Sequence, residues 1–279
     1  MKDGLLIFSG NPKAGSTWLG GLFSGVAIEM GMNFFYGQYA IPKNHTEIIQ
    51  GEYDMVISQS SNYQKLLELN KSYKCIHVIR DPRDVCVSSY YSYKNTHNVE
   101  GWPALKELRE RVTKMNFEEG MLETIRFNNY FIETLKNWNY NDPNNLELKY
   151  EDIIWDPERY TYEMIRFLGL TNEEQLNGVG STFKGIYNRI LYRHNYFYKN
   201  FKINQKYIPH NRVKAINNSL SFNNLTKGRK RGSENINSHY RKGVSGDWKN
   251  KFSKNIKNVF KEKHGDLLIH LGYERDHLW

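Results

Sequence analysis

Three short apolar runs and one alternating run punctuate the first 150 residues of the chain, and helical patterns separate them. The first, Leu5-Leu6-Ile7-Phe8, is apolar at every position, as in a strand covered on both faces of a parallel sheet. Asp54-Met55-Val56-Ile57-Ser58 reads as a second strand and Lys74-Cys75-Ile76-His77-Val78-Ile79-Arg80 as a third. Leu146-Glu147-Leu148-Lys149-Tyr150 alternates, which predicts a fourth. After the first run, Trp18, Leu19, Leu22, Phe23, Val26, Ala27 and Met30 recur at helical spacing. Further helices are expected over Tyr63–Leu69, Val85–Tyr93, Trp102–Lys114, Glu118–Trp138 and Pro157–Leu168, the last stopped by Gly169. Phe34 to Ile49 reads as a polar and aromatic loop. Strands separated by helices predict an α/β fold with a mostly parallel central sheet, flanked by helices on both faces. Ligands of such sheets sit beyond the carboxyl ends of the strands.

Two strand exits carry candidate chemistry. Gly10, Pro12 and Gly15 shape a tight turn between the first strand and its helix. Such a turn aims backbone N–H groups and the positive end of a helix at one spot, which suits a phosphate. Gly10, Gly15 and Thr17 have the spacing of the triphosphate loop, but Ser16 stands where its lysine belongs and Lys13 lies inside the turn. One phosphate fits better than three, and a P-loop kinase is disfavoured. An ordinary strand–turn–helix joint has the same pattern. At the second exit, Arg80 ends a strand and Ser88 follows about two helical turns later. A guanidinium and a hydroxyl there can hold a second phosphate, or Arg80, Asp81, Arg83 and Asp84 can simply pair with one another at the surface. Further on, Arg241-Lys242-Gly243-Val244-Ser245-Gly246-Asp247-Trp248 carries two cations and two glycines before an aromatic-anchored helix start.

Composition narrows the partners. Lys and Arg number 39 against 30 Asp and Glu, a net charge of +9. That balance favours nucleotides, sulfated or phosphorylated substrates, nucleic acid or a membrane surface, although a generically basic surface would carry it too. Cys75 and Cys86 both fall on core elements, too few for a disulfide framework, and a reducing cytoplasm is expected. Met1 to Gly4 leads straight into the first strand, so no signal peptide is expected. No apolar run approaches the ~20 residues of a membrane span. No His, Cys and Asp cluster has metal-ligand spacing, and no metal is expected.

Taken together, Pro12 to Trp18, Arg80 to Ser88, Tyr150-Glu151-Asp152, Phe167-Leu168-Gly169, Ser181-Thr182-Phe183 and Arg241 to Phe252 resemble, in the same order, the motifs of the cytosolic-type sulfotransferases. These enzymes use 3′-phosphoadenosine 5′-phosphosulfate (PAPS) and release adenosine 3′,5′-bisphosphate (PAP). The resemblance implies one sulfotransferase domain over residues 1–279 with a P-loop-like fold. It implies in-line sulfuryl transfer to a hydroxyl or amine of a small-molecule or glycan acceptor, with no nucleic acid involved. Lys13 would contact the bridging oxygen and stabilise the leaving nucleotide, while Ala14, Gly15, Ser16 and Thr17 form the loop around the 5′-phosphate. Trp18 and Phe183 would flank the adenine, with Tyr150 and Ser181 at the base edge. Arg80 and Ser88 would form one half of the 3′-phosphate site, and Arg241, Lys242 and Gly243 the other. Lys13 and Ser88 are the expected catalytic residues.

Two departures from the family stand out. Its histidine general base follows the second strand, where this chain reads Ser58-Gln59-Ser60. Serine at its usual pKa is a poor base. His45 and His97 are substitutes on loops that could border an acceptor, and a catalytically idle nucleotide- or polyanion-binding protein is the alternative reading. Secondly, 57 residues separate Phe183 from Arg241, more than the family usually has there. This aromatic and basic insertion, about residues 184–240, is expected either to cover the acceptor or to be a mobile, solvated lid.

Overall fold

The computed structural model describes residues 4–37, 45–59, 62–172 and 179–279. These residues group into two compact units, each made of two stretches of chain: residues 1–79 with 138–225, and residues 80–137 with 226–279.

The first unit holds the sheet. Its elements are β1 (Leu5–Gly10), α1 (Ser16–Glu29), β2 (Phe34–Gly37), α2 (His45–Gln50), β3 (Met55–Ser58), α3 (Tyr63–Leu67) and β4 (Tyr73–Ile79). The second unit begins with α4 (Pro82–Tyr91), a π-helical turn (Ser92–Thr96), α5 (Pro103–Lys114) and α6 (Phe117–Glu133). The chain re-enters the first unit with β5 (Asn145–Lys149), α7 (Tyr150–Trp155), α8 (Pro157–Phe167), α9 (Val179–Tyr192), α10 (Asn195–Phe201), α11 (His210–Ser219) and α12 (Phe222–Leu225). It ends in the second with α13 (Trp248–Lys251) and α14 (Lys254–His270).

The five strands lie in the order β2-β3-β1-β4-β5 and every pairing is parallel. Register explains why β1 reads as one unbroken apolar run. Leu6 and Phe8 point into a core with Leu19, Phe23, Ile165 and Ile216, whereas Leu5 and Ile7 point into another with Ile48, Leu66 and Trp138. Both faces are therefore covered, and alternation disappears. The order also places the exits of β1, β4 and β5 next to one another.

Two expectations are corrected. The stretch from Phe34, read as a loop, contributes the edge strand β2 and the helix α2; four residues without a buried face are too few to show a period. The helix expected to reach Trp138 stops at Glu133, and Trp138 instead stacks on His77 at 3.6 Å between ring centroids. The long segment after Phe183 carries helices as far as Leu225. Its polar anchor is Glu29, buried at the end of α1. Glu29 accepts from Arg212 at 2.9 and 2.7 Å and from Arg189 at 3.3 Å, and its carbonyl accepts from Asn188 and Gln205. A buried carboxylate shared by two guanidiniums ties α9 and α11 to α1, because neither charge can be left unpaired there.

Candidate active site

The turn after β1 is a strained and well-packed loop. Lys13 and Gly15 both take left-handed backbone, with φ of 64° and 74°. For lysine that conformation costs about 1 kcal/mol, the kind of strain found at functional sites. At Gly15 a side chain is also excluded, because a Cβ would stand 2.8 Å from the Tyr150 ring. Tyr150 itself opens α7 directly after β5. No side chain caps α1 and its first turn has no acid, so its positive end is open. Ser16 and Trp18 are buried, Thr17 is exposed and Lys13 is half-buried. The Trp18 indole nitrogen is buried with no hydrogen-bond partner among the described residues.

Beneath the loop runs a polar relay that the motif reading did not include. The Asn11 amide nitrogen donates to the Val78 carbonyl at 3.1 Å and contacts His77 Nε2 at 2.9 Å; His77 Nδ1 lies 2.9 Å from Glu147. Since the amide donates to Nε2, the imidazole proton sits on Nδ1 and is donated to Glu147. Burial pushes His77 below its ordinary pKa, opposed by Glu147, and the ring is neutral. The relay spans β1, β4 and β5 and ties the start of the loop to the sheet. The available signal was one imidazole in an otherwise apolar strand, but its partners lie 66 and 70 residues away.

The second unit assembles the other cations. Asp81 caps α4 by accepting the Arg83 amide at 2.9 Å, with Pro82 opening the helix. Arg83 folds back onto the Asp81 carboxylate at 2.7 Å and packs against both Trp248 and Trp279. The four charged residues from Arg80 to Asp84 do pair among themselves, but they are buried and not at the surface. Asp84 reaches further: it accepts the amides of Gly246 at 2.5 Å and Trp248 at 2.9 Å. Arg80 lies 3.6 Å from Asp84 and donates to the Val244 carbonyl at 3.1 Å. Arg80 and the Arg241–Trp248 run are thus held together. Burial raises the Asp84 carboxyl above its usual range, against the pull of Arg80.

Ser88 and Tyr91 follow Asp84 on the same face of α4. The Arg241 guanidinium stands 4.6 Å from the centroid of the Tyr91 ring. Arg241 also donates to Glu234 and, at 2.6 Å, to Asp247, which accepts Lys242 at the same distance. Burial opposes ionisation of Asp247, but hydrogen bonds from Lys242 and Arg241 outweigh it and hold the carboxyl below its ordinary range. Gly243 and Gly246, at φ of 68° and 79°, let the backbone coil around this point. Arg80 and the run that carries Arg241 and Lys242 thus lie together, with half-buried Ser88 on the adjoining helix; guanidiniums, an ammonium and a coiled backbone are donors of the kind that suit an anion.

The remaining candidates are placed as follows. Ser181 is half-buried and Phe183 is 67% exposed, both on α9. His97 packs edge-on against Tyr93 and Trp102. Ser60 and the His45 side chain lie outside the described residues. Cys75 and Cys86 are buried free thiols; burial pushes both up, Cys86 to about 12. Among the described residues there is no cluster of His, Cys, Asp and Glu suited to a metal and no helix long and apolar enough to cross a membrane.

Comparison with known proteins follows the same lines. A model of the sulfotransferase domain matches residues 3–184. The luciferin sulfotransferase of Photinus pyralis is 27% identical over 190 residues, which cover 56% of this chain and 48% of that protein. Sulfotransferase 2A1 of Homo sapiens is 25% identical over 203 residues, covering 70% and 57%. The chain spans about half the length of the curated relatives it matches. Mouse sulfotransferase SULT7A1, solved in complex with PAP, aligns at 18% identity with a TM-score of 0.53, over 96% of this chain and 85% of that one. That last likeness is one of fold.

Proposed function

The chain belongs to the sulfotransferase-domain family, and from that premise we propose that it moves a sulfuryl group from PAPS to an acceptor oxygen or nitrogen. Two observations carry the reading, one in each unit: a strained Lys13 loop at the uncapped start of a helix, and a cluster of cations around Arg80 and Arg241. A nucleotide phosphorylated at both the 5′ and 3′ positions needs one of each. The residues fit such a donor. The uncapped start of α1 supplies amides for the 5′-phosphate, and the orphaned Trp18 indole nitrogen lies beside the same turn. Arg80, Ser88, Arg241, Lys242 and Gly243 take the 3′-phosphate. Trp18 and the open ring of Phe183 flank the base, with Tyr150 and Ser181 at its edge.

Bound PAPS supplies a sulfuryl group on a good leaving group. One sulfur–oxygen bond would break at the 5′-phosphate, one bond would form to the acceptor, and the acceptor's proton would pass to solvent. Lys13 stabilises the charge that grows on the departing oxygen, and the loop amides and Ser88 hold the nucleotide still while it does. The acceptor is a small molecule or a glycan. The two reduced, buried cysteines suit a reducing compartment and support a cytoplasmic site of action. One observation favours a second reading, a nucleotide binder without turnover: Ser58-Gln59-Ser60 offers no histidine base. A transfer assay with labelled PAPS against phenols, lipids, sugars and amines separates the two. Transfer that is inhibited by PAP supports the enzyme. Tight PAP binding with no label moved to any class supports the binder.

A further inference from the structure

Helix α9 is packed inside out. Its inner face buries Gly185 and Asn188, which meet Glu29 and the backbone of residues 29 and 203. Its outer face shows solvent Val179, Ile186, Tyr187 and Ile190, the first 69% and the last 58% exposed. At 100° per residue these four fall on one side. Phe183 falls on the same side, so a docked stripe would take the ring that the proposed site assigns to the base. Helix α10 extends the exposed surface with Tyr196 and Phe197. A monomeric protein rarely leaves so much contiguous apolar surface without a use.

The charge around it says what the use is. Within the same unit, from residue 179 to residue 225, there are eight Lys and Arg and no Asp or Glu, although Glu29 holds two of them, Arg189 and Arg212. Outside that stretch cations and acids nearly balance, 31 to 30. Most of the net positive charge of the chain therefore falls on these helices. Lys184 and Arg193 stand to either side of the apolar stripe, and Lys199 lies on α10; all three are exposed. A helix with an apolar and aromatic face, basic flanks and no acids suits the boundary between anionic headgroups and acyl chains. Its lysines can extend their ammonium groups toward the phosphates while their stems lie along the apolar layer.

We propose that the α9–α10 face docks on the surface of an anionic phospholipid bilayer, lying in the interface and not spanning it. This goes beyond the sulfuryl-transfer reading and does not depend on it. A second copy of the chain fits poorly, because a face-to-face pair would oppose the exposed Lys184, Arg193 and Lys199 of each copy. Nucleic acid also fits poorly, since the centre of the stripe is aliphatic and offers neither hydrogen bonds nor stacking.

The test is co-sedimentation of the full chain with vesicles of phosphatidylcholine, with or without phosphatidylglycerol. The protein should pellet with the anionic vesicles, stay in solution with the neutral ones, and come off as salt is raised. Lys184→Glu with Arg193→Glu should weaken pelleting by at least roughly tenfold, following the usual contribution of a basic residue near such a surface. In a second measurement Ile190→Trp, which alters only an exposed position, should add a blue-shifted emission that brominated lipid quenches. Absence of pelleting by the wild-type chain, equal pelleting with neutral vesicles, or an emission from the introduced indole that anionic lipid leaves unmoved would each overturn the proposal. So would a solution dimer that Ile190→Gln dissociates, or an oligonucleotide that binds while vesicles do not.

Discussion

The two candidate anion sites, one in each unit, are built from opposite materials. The Lys13 loop is shaped by backbone and neutral side chains: left-handed Lys13 and Gly15, the Tyr150 ring, and an Asn11–His77–Glu147 relay whose imidazole is uncharged. The Arg80 and Arg241 surface is shaped by carboxylates, with Asp84 holding the backbone and Asp247 and Glu234 holding the cations. The first offers amides and the Lys13 ammonium, and the second offers guanidiniums already neutralised in part. Under the proposed function the difference gives them different work. A group that must respond to charge appearing during reaction belongs on the first; a group that must fix a dianion before reaction belongs on the second.

The sharpest way to break this contrast is to remove Lys13. Lys13→Ala should lower kcat by about 10²–10³, the usual loss for one donor to a developing charge, with PAP affinity changed only a few-fold. Unchanged kcat would take Lys13 out of the reaction. Lys13→Gly should lose the same activity yet raise thermal stability slightly, because glycine relieves the left-handed strain.

Arg80→Ala and Arg241→Ala should act the other way round. Each should raise the Kd for PAP by roughly 10–100-fold, as expected for one charge-assisted contact, with a smaller effect on the turnover of saturated enzyme. Titration of each variant separates the two outcomes.

Acid should act on the neutral framework. His77 and His264 are both held below their ordinary pKa by burial, His264 at about 4. Each binds a proton more readily unfolded, with a pKa near 6.5. Their share of stability is therefore complete above about pH 6.5 and is lost as pH falls toward the folded values. The loss is up to about 1.4 kcal/mol per pH unit for each. Urea midpoints between pH 7.5 and 4.5 read this directly. His77→Phe should flatten its part of the slope, while leaving the Asn11 amide one acceptor short costs about 1–3 kcal/mol.

The smallest effect tests the carboxylate-built surface itself. Asp247→Asn removes a charge from between Arg241 and Lys242, and PAP should bind a few-fold more tightly at low salt. Weaker binding would mean that Asp247 positions the cations more than it competes for them.

These features were unequally visible in the sequence. The apolar strand runs and the Gly15 turn were legible because each is local. Arg80 and Arg241 could be named from their motifs, but the device that joins them, Asp84 reaching Gly246 across 162 residues, leaves no local trace. The relay was hidden because His77 looks like any lone polar residue in a core strand. Edge strand β2 was missed because Phe34 to Gly37 is too short for a period to show. The helices after Phe183 were not legible because α9 buries Asn188 and Gly185 and exposes Ile190, so its pattern does not show an apolar inner face.

Calorimetric titration of the full chain with PAP and with ATP, both without magnesium, bears most directly on the division of labour. PAP should bind at least about 100-fold more tightly, and Arg80→Ala should erase most of that preference. Equal affinity for the two nucleotides, or a preference untouched by Arg80→Ala, would contradict it.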